Sequence, residues 1–461
     1  MTALSTLRGP RRERTTPPRW SEDRIALLGL VAWVAVVGLG MVWGSLGVRH
    51  DGVQHINAAP FMGRWRFDLD ERFLLLIPAV VFAVVIVLVG PRLASSLRWS
   101  LVPVVAGASS SLAAVALAAS DGWHELTRPL TTRFEYLPLV PEIDDPLVFL
   151  DTFVERAVDY PIHVQGHPPG ATLVFWVLDR IGLGGPGWAA ALVILGGGMA
   201  VAATLIAARA VAGEGPARTA APFLVLGPSA LWVATSADAL FAGVIAAGIA
   251  LMVVSTCRPV GPMGNVQALA GGAVLALALH LTYGTVPLLL VPLAVAISRR
   301  RIRPILVAGI GASAVTAAFT FGGFWWFDGL ALTHEFYWDG IASRRPWTYH
   351  LIAGNPSLLA ISVGPAAVAG LFVLVARQRR GESPGWARSP ALLPLAGFVA
   401  VLVANLSMMS KGEVERIWLP FVPWLILAAV AVGLDEGRIR RWLWPQVAIA
   451  VVLQAVLDSP W

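Results

Sequence analysis

The chain has 461 residues, of which 57% are hydrophobic and 13% charged, with a mean hydropathy of +0.71. Soluble domains carry about 25% charged residues, so this composition excludes a water-soluble body of the same length. The single cysteine, Cys257, excludes an internal disulfide, a Cys-x-x-Cys metal site and thiol redox chemistry.

In chain order, residues 1–24 form a polar tail with Arg8, Arg11, Arg12, Arg14, Arg19 and Arg24. Apolar blocks follow at 25–47, 73–90, 100–119, 187–209, 217–234, 236–255, 266–282, 284–298, 303–323, 354–376, 390–408, 417–434 and 442–457. A helix of roughly 20 apolar residues spans a bilayer, and backbone groups inside lipid must be paired within their own segment. The expected fold is therefore an all-α polytopic membrane protein of about thirteen transmembrane helices. No small-residue cleavage site follows the first block, so it is read as an uncleaved span.

Orientation follows from charge. With the N-terminus cytoplasmic, the inner segments and their flanks hold 22 Arg against 7 acids. The outer side holds 12 basic residues against 21 acids. This is the positive-inside pattern, with ‘SRRRIRP’ at 298–304 as its clearest marker. The formal charge of +6 thus reflects topology, and no nucleic-acid partner is expected. All eight histidines (His50, His55, His124, His163, His167, His280, His334, His350) fall on the outer side or at outer helix ends. Long outer loops are expected at 48–72, 120–186 and 324–353. Polar and titratable residues gathered on one face point to chemistry on that face.

The first outer loop places Asp51 just past the first span, and Asp68, Asp70 and Glu71 just before the second. Such carboxylates serve as a general base, hold a divalent cation (Mg or Mn) beside a phosphate, or merely cap a span. The second loop is too long and too aromatic for a connector, and surface helices are expected within it. It ends in ‘VQGHPPGATLVFW’, where two prolines rigidify the start of an apolar helix and hold His167 at the rim. The segment 171–183 is too short to span and is expected to be half-inserted or surface-lying. His163 precedes it. Gly196, Gly197 and Gly198 are expected at a close helix contact. Beyond residue 180 the outer basic residues are Arg344, Arg345, Lys411 and Arg416. Arginine forks suit phosphate oxygens, although Glu413 and Glu415 stand close enough in sequence to neutralise them. Arg344 and Arg345 also suit lipid headgroups. Trp325, Trp326, Trp338 and Trp347, with Tyr337 and Tyr349, offer sugar-stacking faces or an interfacial belt. His280, followed by Tyr283, is placed either to bond a donor or to pack.

These motifs resemble the GT-C superfamily of integral-membrane glycosyltransferases, which use polyprenyl-phosphate sugars on the extracytoplasmic side. The likeness rests on Asp51 after the first span, on ‘HPPG’ at 167–170, and on ‘PSALWVATSADALFAG’ at 228–243, which carries Asp238. It covers about the first 250 residues. ‘ASRRPWTYHLIAGNP’ (342–356) and ‘MSKGEVERIWLPFVPW’ (409–424), with the arginine-heavy usage, resemble an actinobacterial cell-envelope branch. The resemblance implies a cytoplasmic tail (1–24), a GT-C-like catalytic module (25–255) and a variable C-terminal transmembrane module (256–461). It also implies a polyprenyl-phosphate sugar donor, a glycan or glycolipid acceptor, the plasma membrane as location, and an extracytoplasmic active site. Asp51 and His167 would be catalytic. Arg416, Lys411, Arg344, Arg345, His163, Asp238 and His280 would bind substrate. Two departures stand out: Gly52, rather than a second acid, follows Asp51, and no basic residue follows the two prolines. If an acidic pair is required, Asp70 and Glu71 replace Asp51. The competing classes are a lipid-linked oligosaccharide flippase or transporter, and an envelope polysaccharide polymerase or ligase. The polymerase or ligase reading lacks a reason for the ‘HPPG’ half-helix together with Asp51, and the apolar centres of the spans carry almost none of the charges that a transport path needs.

Overall fold

The computed structural model describes residues 21–47, 57–67 and 73–461, together with the backbone of 48–51, 72 and 341. Asp51 ends the first helix, Glu22–Asp51. The side chains of His50 and Asp51, and His55, Asp68, Asp70 and Glu71 entirely, lie outside the described residues.

The chain is mostly helical, as its apolar blocks require. Among the described residues eight helices are long and apolar enough to cross a membrane: Glu22–Gly47, Phe73–Ser96, Trp99–Asp121, Pro186–Ala212, Asp238–Cys257, Pro262–Leu281, Arg303–Phe321 and Trp347–Arg379. The other five expected spans are shorter, interrupted or more polar. The block 217–234 becomes a helix, Glu214–Val225, followed by a tight turn at Pro228–Trp232. The block 284–298 opens in a 3-10 turn containing Pro287 and is α-helical only over Leu290–Ser298. Pro420 and Pro423 divide 417–434 into the short pieces Val414–Ile417, Val422–Ile426 and Leu427–Ala431. In each case proline removes a backbone donor and blocks the preceding turn. The block 390–408 is the fifteen-residue helix Leu392–Leu406. The block 442–457 lies in Glu436–Val456 except for Leu457, which begins a strand, and the first turns of that helix carry Arg438, Arg440 and Arg441.

Small residues let these helices approach closely. A methyl group on Gly196 would lie 2.5 Å from the Leu240 Cα, which locks the Pro186–Ala212 and Asp238–Cys257 helices together. Gly364 has φ +78 and, with Pro365, bends the Trp347–Arg379 helix. The Gln446 amide donates to the freed Val363 carbonyl at 3.3 Å, repairing the break. The first helix packs along Asn355–Arg379, so the N-terminal span joins the C-terminal half of the chain in one bundle.

Ion pairs between elements sort by end of the bundle. Glu22–Arg377, Asp23–Arg438 and Arg92–Glu436 join segments expected on the inner side. Arg66–Asp121, Arg345–Glu413 and Arg416–Asp238 join segments expected outside. The second outer loop folds into short helical turns. Its segment 171–183 is a nine-residue helix, Gly170–Leu178, with Gly170, Ala171, Thr172 and Phe175 buried, and then a π-turn. Its start is fixed by contact, because a methyl group on Gly170 would lie 2.3 Å from the His280 carbonyl oxygen. Two short strands modify the all-helical expectation: Arg64–Trp65 pairs antiparallel with Leu457–Asp458. Two residues per strand are too few to leave an alternating pattern in the sequence.

Candidate active site

The segment 410–417 lies at the end of the bundle expected to face outside. Gly412 (φ +81) and Glu413 (φ +59) are consecutive left-handed residues, a conformation that glycine tolerates and glutamate resists. Asn355, buried at the head of its helix, holds this turn: its Oδ1 accepts from Gly412 N–H at 3.1 Å, and its amide donates to the Ser410 carbonyl at 2.6 Å. The turn aims Glu413 and Arg416 at the same interior point.

Arg416 is only 7% exposed. One terminal nitrogen donates to Asp238 Oδ2 at 3.1 Å. The other donates to Glu413 Oε2 at 2.6 Å and to His163 Nε2 at 3.2 Å. Arginine only donates, so His163 Nε2 is an acceptor and the proton of the neutral ring sits on Nδ1, facing Glu135 Oε1 at 2.8 Å. Ser236 steadies Asp238 through a 2.6 Å hydrogen bond to Oδ2. Although burial alone favours losing the proton, Glu413, Asp238 and Glu135 push the Arg416 pKa up.

Glu413 also receives Arg345, Nη2 to Oε1 at 2.7 Å. Burial would raise the Glu413 carboxyl, but the Arg416 and Arg345 guanidinium groups overcome it and hold the pKa at about 2. Arg345 also donates to the Lys411 carbonyl. The Lys411 ammonium donates to the Ala342 carbonyl at 3.0 Å and lies 4.1 Å over the Trp338 ring, while its backbone N–H donates to the Tyr337 hydroxyl at 2.7 Å. Burial, aided by Arg345, lowers the pKa of Lys411. Glu413 thus bridges two guanidinium groups with a third cation alongside.

His167 sits beside this cluster. Its Nδ1–H donates to the His163 carbonyl at 2.8 Å, which leaves Nε2 as an acceptor. Tyr136 and Phe241 enclose the ring (5.7 and 5.5 Å between centroids), though one edge remains accessible. That enclosure lowers its pKa to about 4, against the pull of Asp238, so His167 is a neutral imidazole at pH 7.

The remaining sequence candidates lie apart. Arg344 is exposed. His280 is stacked on Phe319 at 4.1 Å, with Nδ1 bonded to the Ala276 carbonyl, and forms the seat for Gly170. Among the described residues no group of three His, Cys, Asp or Glu side chains is arranged to hold a metal ion. The carboxylates proposed as cation ligands (Asp51, Asp68, Asp70, Glu71) fall outside those residues. Glu135, Asn355 and Trp461 escape sequence inspection. Of these only Asn355 carries a sequence signal, as an amide at the head of an apolar span.

Trp461 lies 4.6 Å over the Arg416 guanidinium. It reaches there because the strand Leu457–Asp458 crosses the outer end and pairs with Arg64–Trp65. Just beneath, a cavity of about 30 Å³ is lined by Ser110, Gly197, Ser229, Ala239 and Leu419. That is room for about two waters.

No protein-family model matches the sequence, and no curated protein is significantly similar to it. Among solved structures, the chain is similar to the crystal structure of an Archaeoglobus fulgidus oligosaccharyltransferase in complex with zinc and sulfate. The TM-score is 0.48 at 13% identity, over 78% of this chain. The chain spans about half of that protein, 53% of its length.

Proposed function

We propose that this chain is a membrane glycosyltransferase that moves a sugar from a polyprenyl-phosphate donor to a cell-envelope glycan or glycolipid acceptor. In this reading the reaction occurs at the extracytoplasmic face of the plasma membrane. One observation carries the proposal: Arg345, Lys411 and Arg416, from two distant segments, are gathered and buried at one end of an apolar bundle, with a single carboxylate bridging the two guanidinium groups. Buried paired guanidinium groups suit a phosphate, whose oxygens match their forks. The donor phosphate would displace Glu413 from between them.

The chemistry breaks the bond between the anomeric carbon and the phosphate oxygen and forms one to the acceptor oxygen. Negative charge develops on the departing phosphate, where Arg416 and Arg345 stabilise it, and the acceptor proton passes to a base. Asp51 is the proposed base. His167, neutral with a free Nε2 lone pair, is the second proposed catalytic group. The residues of 25–255 then supply base, His163 and Asp238, and those of 256–461 supply the cations. Within the actinobacterial cell-envelope branch that 342–356 and 409–424 resemble, the methylthioxylose transferase of mycobacterial lipoarabinomannan is the nearest likeness, and the donor sugar is a hexose or a pentose. A divalent ion, if used, falls to Asp51 or to Asp68, Asp70 and Glu71.

The test is transfer by the purified chain in lipid nanodiscs, supplied with synthetic polyprenyl-phosphate pentoses and hexoses and envelope-type glycan acceptors. Mass-resolved product and stoichiometric polyprenyl phosphate are expected. Failure to release polyprenyl phosphate from any donor, by protein that is folded and monodisperse, would sink the reading.

A further inference from the structure

Three buried polar groups next to Arg416 are left over from the ion-pair network. Glu415 is 1% exposed, and neither carboxyl oxygen accepts a hydrogen bond. The Trp461 indole N–H approaches this carboxyl without reaching hydrogen-bonding geometry and is itself without an acceptor. The third is the Nε–H of Arg416, which points at no acceptor although both terminal nitrogens are engaged. An unpaired buried polar group costs stability, and here one two-oxygen acceptor and two single donors lie on three side chains around one contact. One face of the Trp461 ring is stacked on the Arg416 guanidinium at 4.6 Å.

The complement of this set is specific. A carboxylate accepts from two neighbouring O–H groups. An indole N–H and a guanidinium N–H each donate to a hydroxyl oxygen. An aromatic ring accepts the C–H face of a sugar. A phosphate fits poorly, because it brings only acceptors to Glu415; an apolar chain leaves all three groups unpaired. We infer that Glu415, Trp461 and the Nε–H of Arg416 form a carbohydrate subsite that reads a vicinal pair of sugar hydroxyls beside the proposed phosphate grip. The inference rests on the glycosyltransferase reading above, and it adds which residues recognise the sugar. Burial pushes the Glu415 carboxyl up to about 7, with Glu413 adding to the shift and Arg416 opposing it, as expected of a carboxylate kept for a ligand and not paired within the protein.

The sugar belongs either to the donor or to the acceptor, and kinetics separates the two. Two variants of the full chain in nanodiscs suffice: Glu415→Gln, which keeps shape but exchanges an acceptor oxygen for a donor, and Trp461→Phe, which keeps a ring but removes the N–H. Both are expected to raise the KM of the same substrate about tenfold, with kcat within about threefold of the parent. A rise in donor KM assigns the donor sugar, and a rise in acceptor KM assigns the acceptor. Saturation-transfer NMR with methyl pentosides and methyl hexosides gives a readout independent of turnover. Signal from the parent chain that both variants lose supports the subsite. Signal absent from the parent, or unchanged in both variants, overturns it. A parent that transfers sugar while both variants keep their KM refutes the subsite and leaves the glycosyltransferase reading standing. A parent that binds glycosides through these residues yet transfers nothing does the reverse.

Discussion

Arg416 pairs with Asp238 and Glu413 and is the proposed phosphate grip, and its substitutions separate the two. Replacement by Lys keeps the charge but loses the fork, so turnover is expected to fall about tenfold, a loss of about 1.4 kcal/mol of transition-state stabilisation. Replacement by Ala is a poorer probe, because it leaves Asp238 and Glu413 buried without their cation and is expected to cost about 3–5 kcal/mol of stability. Near-normal turnover of folded Arg416→Lys would move the phosphate grip to Arg345 and Lys411. Asp51→Asn is expected to abolish transfer with no loss of stability; normal turnover there would pass the role of base to His167 or to Asp70 and Glu71. Glu415 makes a prediction about pH. An unfolded chain ionises this group near 4.5, the folded chain only near 7. Its contribution to stability is therefore complete below about 4.5 and is lost as pH rises through about 7. Glu415→Gln cannot ionise, so its melting temperature should exceed that of the parent at pH 8 and converge with it near pH 4.5. The stability at stake across this pH window is about 3 kcal/mol. A variant that gains stability while losing substrate affinity is the mark of a side chain kept for function.

At the level of elements, the Gly170–Leu178 helix owes its seat to a missing side chain. Its first residue abuts the His280 carbonyl, and the preceding Pro168 and Pro169 fix the direction of approach. Gly170→Ala is expected to force helix and carbonyl apart, at a cost of about 1–3 kcal/mol. The helix begins three residues after His167, so turnover should fall as well, and the two losses are read by thermal denaturation and by the transfer assay. An unchanged melting temperature would show that this contact is slack. The turn at Gly412 and Glu413 works in the opposite sense. There the chain keeps a strained glutamate because both guanidinium groups hold its carboxyl, so electrostatics over-determines a backbone conformation that propensity opposes.

On the scale of the whole molecule, ion pairs gather at two ends with apolar helices between them, which is the arrangement the charge asymmetry of the loops predicts. Sidedness is directly measurable. After Cys257 is removed, Trp123→Cys and Val158→Cys, both at exposed positions, are expected to react with impermeant reagents added from outside cells. Ile302→Cys, also exposed, is expected to react only once the cytoplasmic face is opened. Labelling of position 123 from the cytoplasm would invert the topology and remove the extracytoplasmic site with it. Leu130 and Arg345 are poor labelling positions, because both are buried within the folded outer loops.

Composition, block length and loop charge are additive along the chain, and these decide class: an apolar helical bundle was legible without any structure. So was the short roster of outer cations, since a chain with one lysine and few outer arginines offers little choice. Pairing is a different kind of quantity. Whether Arg416 meets Glu413, Asp238 or a ligand depends on which helices approach, and that is set by glycine contacts such as Gly196 against Leu240 and by prolines that cut 417–434 into pieces. Proline breaks are visible locally, but their effect on span count depends on neighbours that repair or exploit them, as Gln446 does at Gly364. Glu135, Asn355 and Trp461 joined the site only in three dimensions. Trp461 depends on a two-residue strand pair between segments nearly four hundred residues apart, with no periodicity to announce it. The sequence by itself determined solvent class, the expected orientation and the available charges, because these are sums over residues. Tertiary structure alone decided which charges neutralise one another and which, like Glu415, are left unpaired, because a buried charge interacts over a few ångströms and those distances exist only in the fold.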